Sequence, residues 1–499
     1  MSATIIRGGR VLDVTGDRAE PADVLVDGGV IRDIGRPGTA APEGAAVLDA
    51  RDRLLIPGLV NAHTHAHGAL ARGLPGDRVP LEMLLTTGAA LGGSRGLEDK
   101  YLSAQLSAIE MVRKGCTACY DLFVEYPTPT VDGTYAVARA YRDVGMRAVV
   151  APMMADRTLF QALPGLLDAL PEAERQRVDA LRTSPYEASA AACRDILRDW
   201  PFDRARVRPA LGPTIPLHCS DEFLTACRDL AREYDVPLQT HLAESRGQAV
   251  LGLRKYGKTL TAHLADLGLL GPRFSGAHGV WLDADDVRRL ADAGASVAHN
   301  PMSNLRLGSG VAATRLMLDG GLRVGVGTDS ASSSDSQNMF EALRWASYLS
   351  RIGTLDYRRW LSAPEAFTMA TTGSAAVLGM QGQIGRLAPG YRADIVLLDL
   401  TRPEYVPLND VLLQLVFAEG GASVDSVMID GRVVLDRGRL LTVDEAKVRA
   451  SAEAAAARLR EANAGAVAAA RALEDYVGAF CVGLAREPYR VARVLALDA

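Results

Sequence analysis

The middle of the chain repeats one unit, a short apolar strand followed by an amphipathic helical stretch such as Leu97 to Lys114 or Asp221 to Tyr234. The strand candidates are 56–61, 117–123, 147–154, 207–214, 237–244, 274–282, 296–300 and 323–329. Eight strands that alternate with helices predict an α/β fold, a TIM-type (β/α)8 barrel closed on itself. An open doubly wound sheet is the alternative, but its usual glycine-rich phosphate loop does not follow the first strand candidate.

The two ends of the chain share a different texture. Residues 1–56 contain short apolar runs separated by Gly and Asp turns, and the same pattern returns at 391–399 and 427–435. Such runs indicate short antiparallel strands, so we expect one small β-sandwich built from both chain ends. The predicted boundaries are 1–56 for the first part of the sandwich, 57–384 for the barrel, 385–442 for the second part and 443–499 for an Ala- and Arg-rich helical tail. We expect the tail to pack on the barrel, with an oligomerising role as the alternative.

Composition excludes several classes of protein. Hydrophobic residues form 48% of the 499 residues, enough for a packed core, and the formal net charge is −5. This balance gives no reason to expect nucleic acid or an anionic membrane as a partner. Six scattered cysteines indicate reduced thiols and a cytoplasmic location. The first 16 residues do not resemble a signal peptide, and no apolar run of about 18 residues predicts a membrane span.

The sharpest chemical signal is a pair of histidines at the end of the first barrel strand. The apolar run from Pro57 leads directly into His63-Thr64-His65. Alternate side chains of a strand point to the same face, so His63 and His65 can bind one ion together. Neutral imidazole suits zinc, iron, copper or nickel better than magnesium or calcium. An isolated H-x-H is only moderately specific, but active sites of these barrels lie at the carboxyl ends of the strands.

Three further strand candidates end in residues of the same chemistry. His241 follows the strand that begins at Pro237, and Glu244 comes three residues later. His278 ends the run from Phe274, and Asp329 ends the run from Arg323. A single His or Asp at a strand end is more often structural. Four such ends at one mouth of a barrel instead predict a metal site.

The order H-x-H, H-x-x-E, His and T-D-S resembles the amidohydrolase superfamily. The resemblance covers nearly the whole chain and is closest to the branch that holds triazine hydrolases and the cytosine, guanine and S-adenosylhomocysteine deaminases. It includes the segments Pro57 to Asn61, Asn300 to Asn304 and Ile384 to Asp394.

The resemblance implies that His63, His65, His241 and Asp329 bind one divalent transition metal, with zinc expected and iron as the alternative. Glu244 and His278 would complete the reacting centre. No lysine ends the fourth strand candidate at 211–214, which disfavours the two-metal variant of the superfamily.

The implied reaction is hydrolytic deamination of a nitrogen heterocycle such as a purine, pyrimidine, pterin or triazine. A divalent ion lowers the pKa of bound water towards about 7, and Asp329 can take the proton of that water. His278 can hold the hydroxide or the developing oxyanion, and Glu244 can protonate the ring nitrogen beside the attacked carbon. The alternative is another leaving group, either chloride from a triazine or the amine of an amide, urea or carbamate.

Four more residues are candidates for substrate contact, each with a structural reading beside it. They are His67, His218, His299 and Asn304. The loop from Arg72 to Leu85 lacks the Trp that many adenosine-type relatives carry there, which counts against a nucleoside substrate. We expect a small heterocyclic substrate and water as the partners of a homo-oligomeric enzyme.

Overall fold

The structure of the protein is a computed structural model that describes residues 3–13, 18–179 and 181–494. Part of the segment tested for a signal peptide (1–2 and 14–16) and the last five residues of the predicted tail (495–499) therefore lie outside the described residues. The strands are β1 (Thr4–Asp13), β2 (Arg18–Asp27), β3 (Val30–Gly35), β4 (Ala46–Asp49), β5 (Arg53–Pro57), β6 (Leu59–Thr64), β7 (Cys116–Val124), β8 (Arg147–Met154), β9 (Val207–Pro209), β10 (Gly212–Pro213), β11 (Leu238–Leu242), β12 (Phe274–His278), β13 (Ser296–His299), β14 (Arg323–Val326), β15 (Ile395–Asp399), β16 (Val424–Ile429), β17 (Arg432–Asp436) and β18 (Arg439–Leu440).

Helices follow most of the barrel strands and form the end of the chain. The α-helices are α1 (Leu81–Leu91), α2 (Leu97–Arg113), α3 (Val131–Val144), α4 (Leu159–Ala162), α5 (Glu172–Asp179), α6 (Tyr186–Arg198), α7 (Asp221–Glu233), α8 (Arg246–Tyr256), α9 (Leu260–Asp266), α10 (Ala284–Asp292), α11 (Pro301–Arg306), α12 (Thr314–Asp319), α13 (Met339–Ser350), α14 (Ala363–Thr368), α15 (Ser374–Val377), α16 (Val411–Phe417), α17 (Glu445–Arg471) and α18 (Glu474–Ala485). Short 3-10 turns lie at Ala66–Ala71, Leu167–Ala169, Pro216–His218, Tyr357–Arg359 and Pro403–Tyr405, and a π-turn lies at Met369–Gly373.

The predicted barrel is confirmed. Strands β6, β7 and β8 pair in parallel, as do β11 to β14, and the fourth predicted strand is divided into β9 and β10, which both pair with β8. A bridge from Leu211 to Leu238 joins the two halves. On the other side, the amide of Asp329 donates to the carbonyl of His63 at 2.9 Å and links the last strand to the first.

Barrel strands are apolar because both their faces are covered. Every residue of β6 is buried, and Val60 and Ala62 pack inside the barrel with Tyr120, Leu122 and Val149. Gly327 follows β14 where a Cβ atom would lie 2.8 Å from the backbone nitrogen of His63. A side chain at this position would therefore separate the strands that carry the first and last candidate metal ligands.

The small β domain is one hydrogen-bonded sheet of nine strands from both chain ends. Its order is β18-β17-β16-β15-β5-β1-β2-β3, with β4 beside β1. The antiparallel pair of β5 and β15 joins the two ends of the chain. The guanidinium of Arg147 on β8 ties the barrel to this sheet, with two hydrogen bonds of 3.0 Å to Asp394 and one of 3.3 Å to Asp430.

The helical tail packs on the outside and the rim of the barrel. Helix α17 contacts α1 and α2, and α18 contacts α1 and α8. Beyond α18, Arg493 donates to the carbonyl oxygens of Val280 (2.8 Å) and Leu282 (2.6 Å) in the loop after β12. Among the described helices, none is both long and apolar enough to cross a membrane.

Candidate metal and active site

His63, His65 and His241 come together at the carboxyl ends of β6 and β11. All three are buried, with exposed fractions of 0%, 7% and 7%. The ring centroid of His63 lies 4.6 Å from that of His65 and 5.0 Å from that of His241. The alternation along one strand predicts His63 and His65 on the same face. The closed barrel brings the end of β11, with His241, next to them.

The Nδ1 atom of each ring faces an oxygen that accepts a hydrogen bond. The contacts are His63 Nδ1 to Gln239 Oε1 at 2.7 Å, His65 Nδ1 to the carbonyl of Leu122 at 2.6 Å, and His241 Nδ1 to the carbonyl of Thr214 at 2.5 Å. The amide nitrogen of Gln239 donates to Ala62 O and Ser275 Oγ, so its oxygen is the atom that faces His63. Each ring therefore carries a proton on Nδ1, and Nε2 is the nitrogen that is left to face an ion.

The three Nε2 atoms converge with the carboxylate of Asp329. His65 Nε2 lies 3.1 Å from His241 Nε2 and 3.2 Å from Asp329 Oδ1, and His63 Nε2 lies 3.7 Å from the same oxygen. His63 Nε2 is buried and has no hydrogen-bond partner among the described residues. Three imidazole nitrogens and one carboxylate fit a borderline-soft divalent ion such as zinc.

The pKa values of the candidate metal ligands are shifted by burial and by their neighbours. Burial, together with the neighbouring histidines, lowers the pKa of His63 well below its ordinary value and that of His241 to about 3. Burial would raise the pKa of Asp329, but hydrogen bonding and charge from His65 outweigh it and hold the pKa well below the usual range. At neutral pH, His63 and His241 are therefore neutral and Asp329 is ionised. Burial would lower the pKa of His65, but its hydrogen bond to Asp329 and the charge of that carboxylate outweigh burial and raise it, so a metal ion competes with a proton for His65 Nε2.

Glu244 and His278 lie beside Asp329. One candidate ligand atom from each of these three residues lies within 4.8 Å of the others, and His278 Nε2 is 3.7 Å from Glu244 Oε2. His278 Nδ1 contacts Asn304 Oδ1 at 2.9 Å, and its Nε2 has no partner among the described residues. Burial, with the carboxylates of Asp329 and Glu82, raises the pKa of Glu244 well above its ordinary value. Burial and the two neighbouring carboxylates therefore favour the protonated form of Glu244.

The backbone is strained where these residues leave their strands. Ala243, His278 and Asp329 have φ angles of 49°, 71° and 60°, in the left-handed region that non-glycine residues rarely adopt. Such conformations cost about 1–3 kcal/mol each and cluster at functional sites. Here they turn the chain at the ends of β11, β12 and β14, directly at the group of histidines and carboxylates.

A cleft of about 1280 Å³, including its open mouth, leads to these residues. His65, His241, Glu244 and Asp329 line its inner end. Apolar side chains form much of its outer wall, notably Leu81, Leu84, Leu85 and Leu91 of α1 and Leu307 after α11. A polar reacting end under an apolar wall suits a flat heterocycle with a larger substituent.

A family model described as "Amidohydrolase family" matches residues 54–434. The chain belongs to this family. It is 33% identical over 455 residues to a 5-methylthioadenosine/S-adenosylhomocysteine deaminase from Syntrophomonas wolfei, covering 90% of this chain and 97% of that protein. An adenosine deaminase from Xanthomonas campestris with bound zinc superposes with a TM-score of 0.81 at 28% identity, covering 92% of this chain and 99% of the other. A zinc complex of an atrazine chlorohydrolase from Arthrobacter aurescens gives 0.79 and 28%, over 91% and 100%.

These relatives confirm the predicted enzyme class. An amidohydrolase of this kind is metal-dependent, and the deaminases among its relatives act on adenosine-derived heterocycles, which bears out the expectation of a hydrolytic deaminase acting on C–N bonds. The predicted alternative of triazine dechlorination has a counterpart among the structural neighbours.

The remaining sequence candidates lie in different places in this amidohydrolase. His67 lines the cleft, with its ring centroid 5.2 Å from that of His65. His218, His299 and Asn304 are buried but do not belong to the described lining of the cleft. Asn304 contacts the ring of His278 instead, with Oδ1 2.9 Å from Nδ1.

Sequence reasoning missed Gln239 and the wall formed by α1. Gln239 stands two residues before His241, and the period of two along a strand puts both on the inner face, so that signal was available. The α1 wall had no such signal, because its leucines follow a loop whose path only the folded chain determines.

Proposed function

We propose that the protein is a mononuclear, zinc-dependent hydrolytic deaminase of an adenosine-type purine nucleoside, with iron as the alternative metal. The observation that carries this proposal is the convergence of three Nε2 atoms and the Asp329 carboxylate on one point, next to Glu244, a buried carboxyl group with a raised pKa. The proposed metal ligands are His63, His65, His241 and Asp329. The names of the relatives support the substrate class.

When bound, the ion would supply a Lewis acid that lowers the pKa of a water molecule towards about 7. A single ion is proposed because the fourth barrel strand ends in Gly212, Pro213 and Thr214, without a lysine that could bridge two ions. The carbonyl of Thr214 instead faces His241 Nδ1 and fixes the orientation of that ring.

Asp329 would accept a proton from the attacking water, and His278 would orient that water. The backbone amide of Ser330 donates to Asp329 Oδ1 at 2.8 Å, which fixes the carboxylate while its other oxygen can accept the proton of the water. His278 donates from Nδ1 to Asn304, so its Nε2 is a hydrogen-bond acceptor that orients the water towards the substrate. Asp329 later returns the proton to the leaving amino group.

Glu244 would act on the heterocycle itself. A carboxyl group whose raised pKa favours its protonated form can donate a proton to the ring nitrogen next to the carbon under attack. Protonation there makes the carbon electrophilic, a C–O bond forms, and the C–N bond to the amino group then breaks. The products are ammonia and the oxo form of the heterocycle, whose ring nitrogen keeps the donated proton, and Glu244 regains a proton from the hydroxyl group formed on the attacked carbon.

The segment from Arg72 to Leu85 lacks the Trp of many adenosine-type relatives, but its last residues belong to α1. Leu81, Leu84 and Leu85 of α1 line the cleft and offer an apolar surface against which a nucleoside can pack. A homo-oligomeric state and a cytoplasmic location remain predictions from the sequence.

An ammonia-release screen with the zinc-loaded protein tests this function. The panel contains adenosine, 5′-methylthioadenosine and 5′-deoxyadenosine, with guanine, cytosine, a pterin, atrazine and an aryl urea as comparison compounds. The proposal predicts ammonia from the adenosine compounds at rates well above the others. Chloride from atrazine without ammonia from any adenosine would favour the dechlorination alternative.

A further inference from the structure

The same cleft contains a positive charge that the proposed reaction does not use. Arg95, two residues before α2, lines the cleft together with His67. Within the described residues its guanidinium forms no hydrogen bond or ion pair, and its Nε atom is buried without a partner. Nearly every other charged group at this site has a neighbour that neutralises or orients it, so Arg95 is an exception that needs a physical reason.

The acidic groups near Arg95 are already engaged. Asp99 pairs with Arg458 and accepts a hydrogen bond of 2.9 Å from the backbone nitrogen of Gly96. Glu125, in the cleft wall, pairs with Lys100 and accepts from the backbone nitrogen of Thr130 at 3.0 Å. Lys100 is thus a neutralised cation of the cleft, and Arg95 is the unpaired one among the described lining residues.

Leaving a guanidinium partly buried and unpaired is unfavourable for folding. Burial lowers the pKa of Arg95 to about 10, so the side chain remains charged at neutral pH. Arg95 lines the same cleft as His67, whose ring centroid lies 5.2 Å from that of His65. A ligand that brings an anion into the cleft would offset this unfavourable burial.

The surroundings of Arg95 leave room for such a group. Gly88, Ala89, Gly92 and Gly93 line the cleft beside it. A Cβ atom on Gly92 would lie 3.2 Å from Arg95 Nη1, so the glycine lets the guanidinium lie directly against the backbone. The planar fork of an arginine can bind a carboxylate or a phosphate through two parallel hydrogen bonds.

We propose that Arg95 is a specificity-determining residue that binds an anionic substituent of the substrate, and that the preferred substrate is an adenosine-type compound carrying a carboxylate or a phosphate. This inference rests on the proposed deaminase function and adds the charge of the substrate to it. It assigns Arg95 a role in binding and none in the chemical step.

The test compares one neutral and two anionic substrates. Ammonia release is measured with 5′-deoxyadenosine, adenosine 5′-carboxylate and adenosine 5′-monophosphate, using the zinc-loaded wild type, Arg95→Met and Arg72→Met. Arg72 is the matched control because it is paired with Glu110 and does not belong to the described cleft lining. Thermal unfolding of each variant verifies that it is folded.

The wild type should favour at least one anionic substrate over the neutral one. Arg95→Met should raise KM for that substrate about 10- to 100-fold, with kcat and the neutral substrate unaffected, which is the loss expected for a charge-assisted hydrogen bond. The anion that shows the effect identifies carboxylate or phosphate as the group bound. Equal losses on all three substrates, or a wild type that favours the neutral one, would overturn the inference.

A binding measurement separates this inference from the function on which it rests. If no adenosine compound releases ammonia, the deaminase proposal fails, and calorimetry then compares inosine 5′-monophosphate, inosine 5′-carboxylate and inosine on the same zinc-loaded proteins. Tighter binding of an anionic ligand that disappears in Arg95→Met keeps the anion site. Equal affinity for charged and neutral ligands overturns it.

Discussion

His63 and Asp329 contact each other in two ways at once. The backbone amide of Asp329 donates to the carbonyl oxygen of His63 at 2.9 Å, and Asp329 Oδ1 lies 3.7 Å from His63 Nε2. The first contact links the last barrel strand to the first strand, and the second places two candidate metal ligands side by side. Closure of the barrel and assembly of the candidate metal site therefore depend on the same pair of residues.

Gln239→Leu should weaken zinc binding about 10- to 100-fold without unfolding the protein. The substitution removes the oxygen that holds the Nδ1 proton of His63, so the ring can rotate or change tautomer. Competition with a chromophoric chelator measures the affinity. Gln176→Leu, at an exposed position of α5, serves as the control, and equal zinc affinity in both variants would show that Gln239 does not orient the ligand.

Glu244→Gln should retain zinc and lose turnover by at least about 100-fold, the contribution expected of a general acid. The amide cannot donate the proton that the buried carboxyl group holds. Zinc content and initial rates are measured on the same preparation. A variant with full zinc and wild-type rates would exclude Glu244 as the proton donor.

Arg147→Met should destabilise the fold by about 3–5 kcal/mol, because it leaves the buried carboxylate of Asp394 without a cation, while Asp430 keeps Arg206 and Arg392. The partners, Asp394 and Asp430, belong to the β domain, so the effect should appear as weaker attachment of that sheet to the barrel. Urea unfolding followed by circular dichroism measures it. Arg198→Ala, in an exposed ion pair of α6, should leave the transition in place, and a similar shift in both variants would contradict the account.

Asp286 should give stability that falls as the pH rises from about 4 to about 6. Burial raises its pKa from 3.8 to about 6, so the folded protein holds this proton more tightly than the unfolded chain. A carboxyl group of this kind contributes stability below its unfolded pKa and loses that contribution as the pH rises through its folded pKa. Between pH 4 and 6, the unfolding midpoints of the wild type should decline more steeply than those of Asp286→Asn. A shallower decline in the wild type would show that the assignment is wrong.

The metal-ligand candidates could be predicted from the sequence because two local rules determine them. An apolar strand run locates the strand end, and the barrel places all such ends at one mouth, so His63, His241 and Asp329 were identifiable before their contacts were known. The split of the fourth strand into β9 and β10 escaped prediction. At the break the amide of Ala210 donates to Val150 of β8, whereas the amide of Leu211 donates to Pro237 beside β11, and the apolar run does not reveal this change of partner.

The wall of the cleft could not be predicted in the same way. Arg95 and the leucines of α1 come from a long connection after the first strand, and no periodicity relates them to the barrel. The role of Asn304 depended on the position of His278, which belongs to a different strand end. Contacts between segments that are distant in sequence required the folded chain.

Metal analysis of the purified protein tests the central claim most directly. Mass spectrometry of protein freed of loosely bound metal should give one equivalent of zinc, or of iron in its place, per wild-type chain. His241→Ala should give none, because it removes one of the three nitrogens from the candidate site. Two equivalents in the wild type, or one equivalent retained by His241→Ala, would contradict a single ion held by these residues.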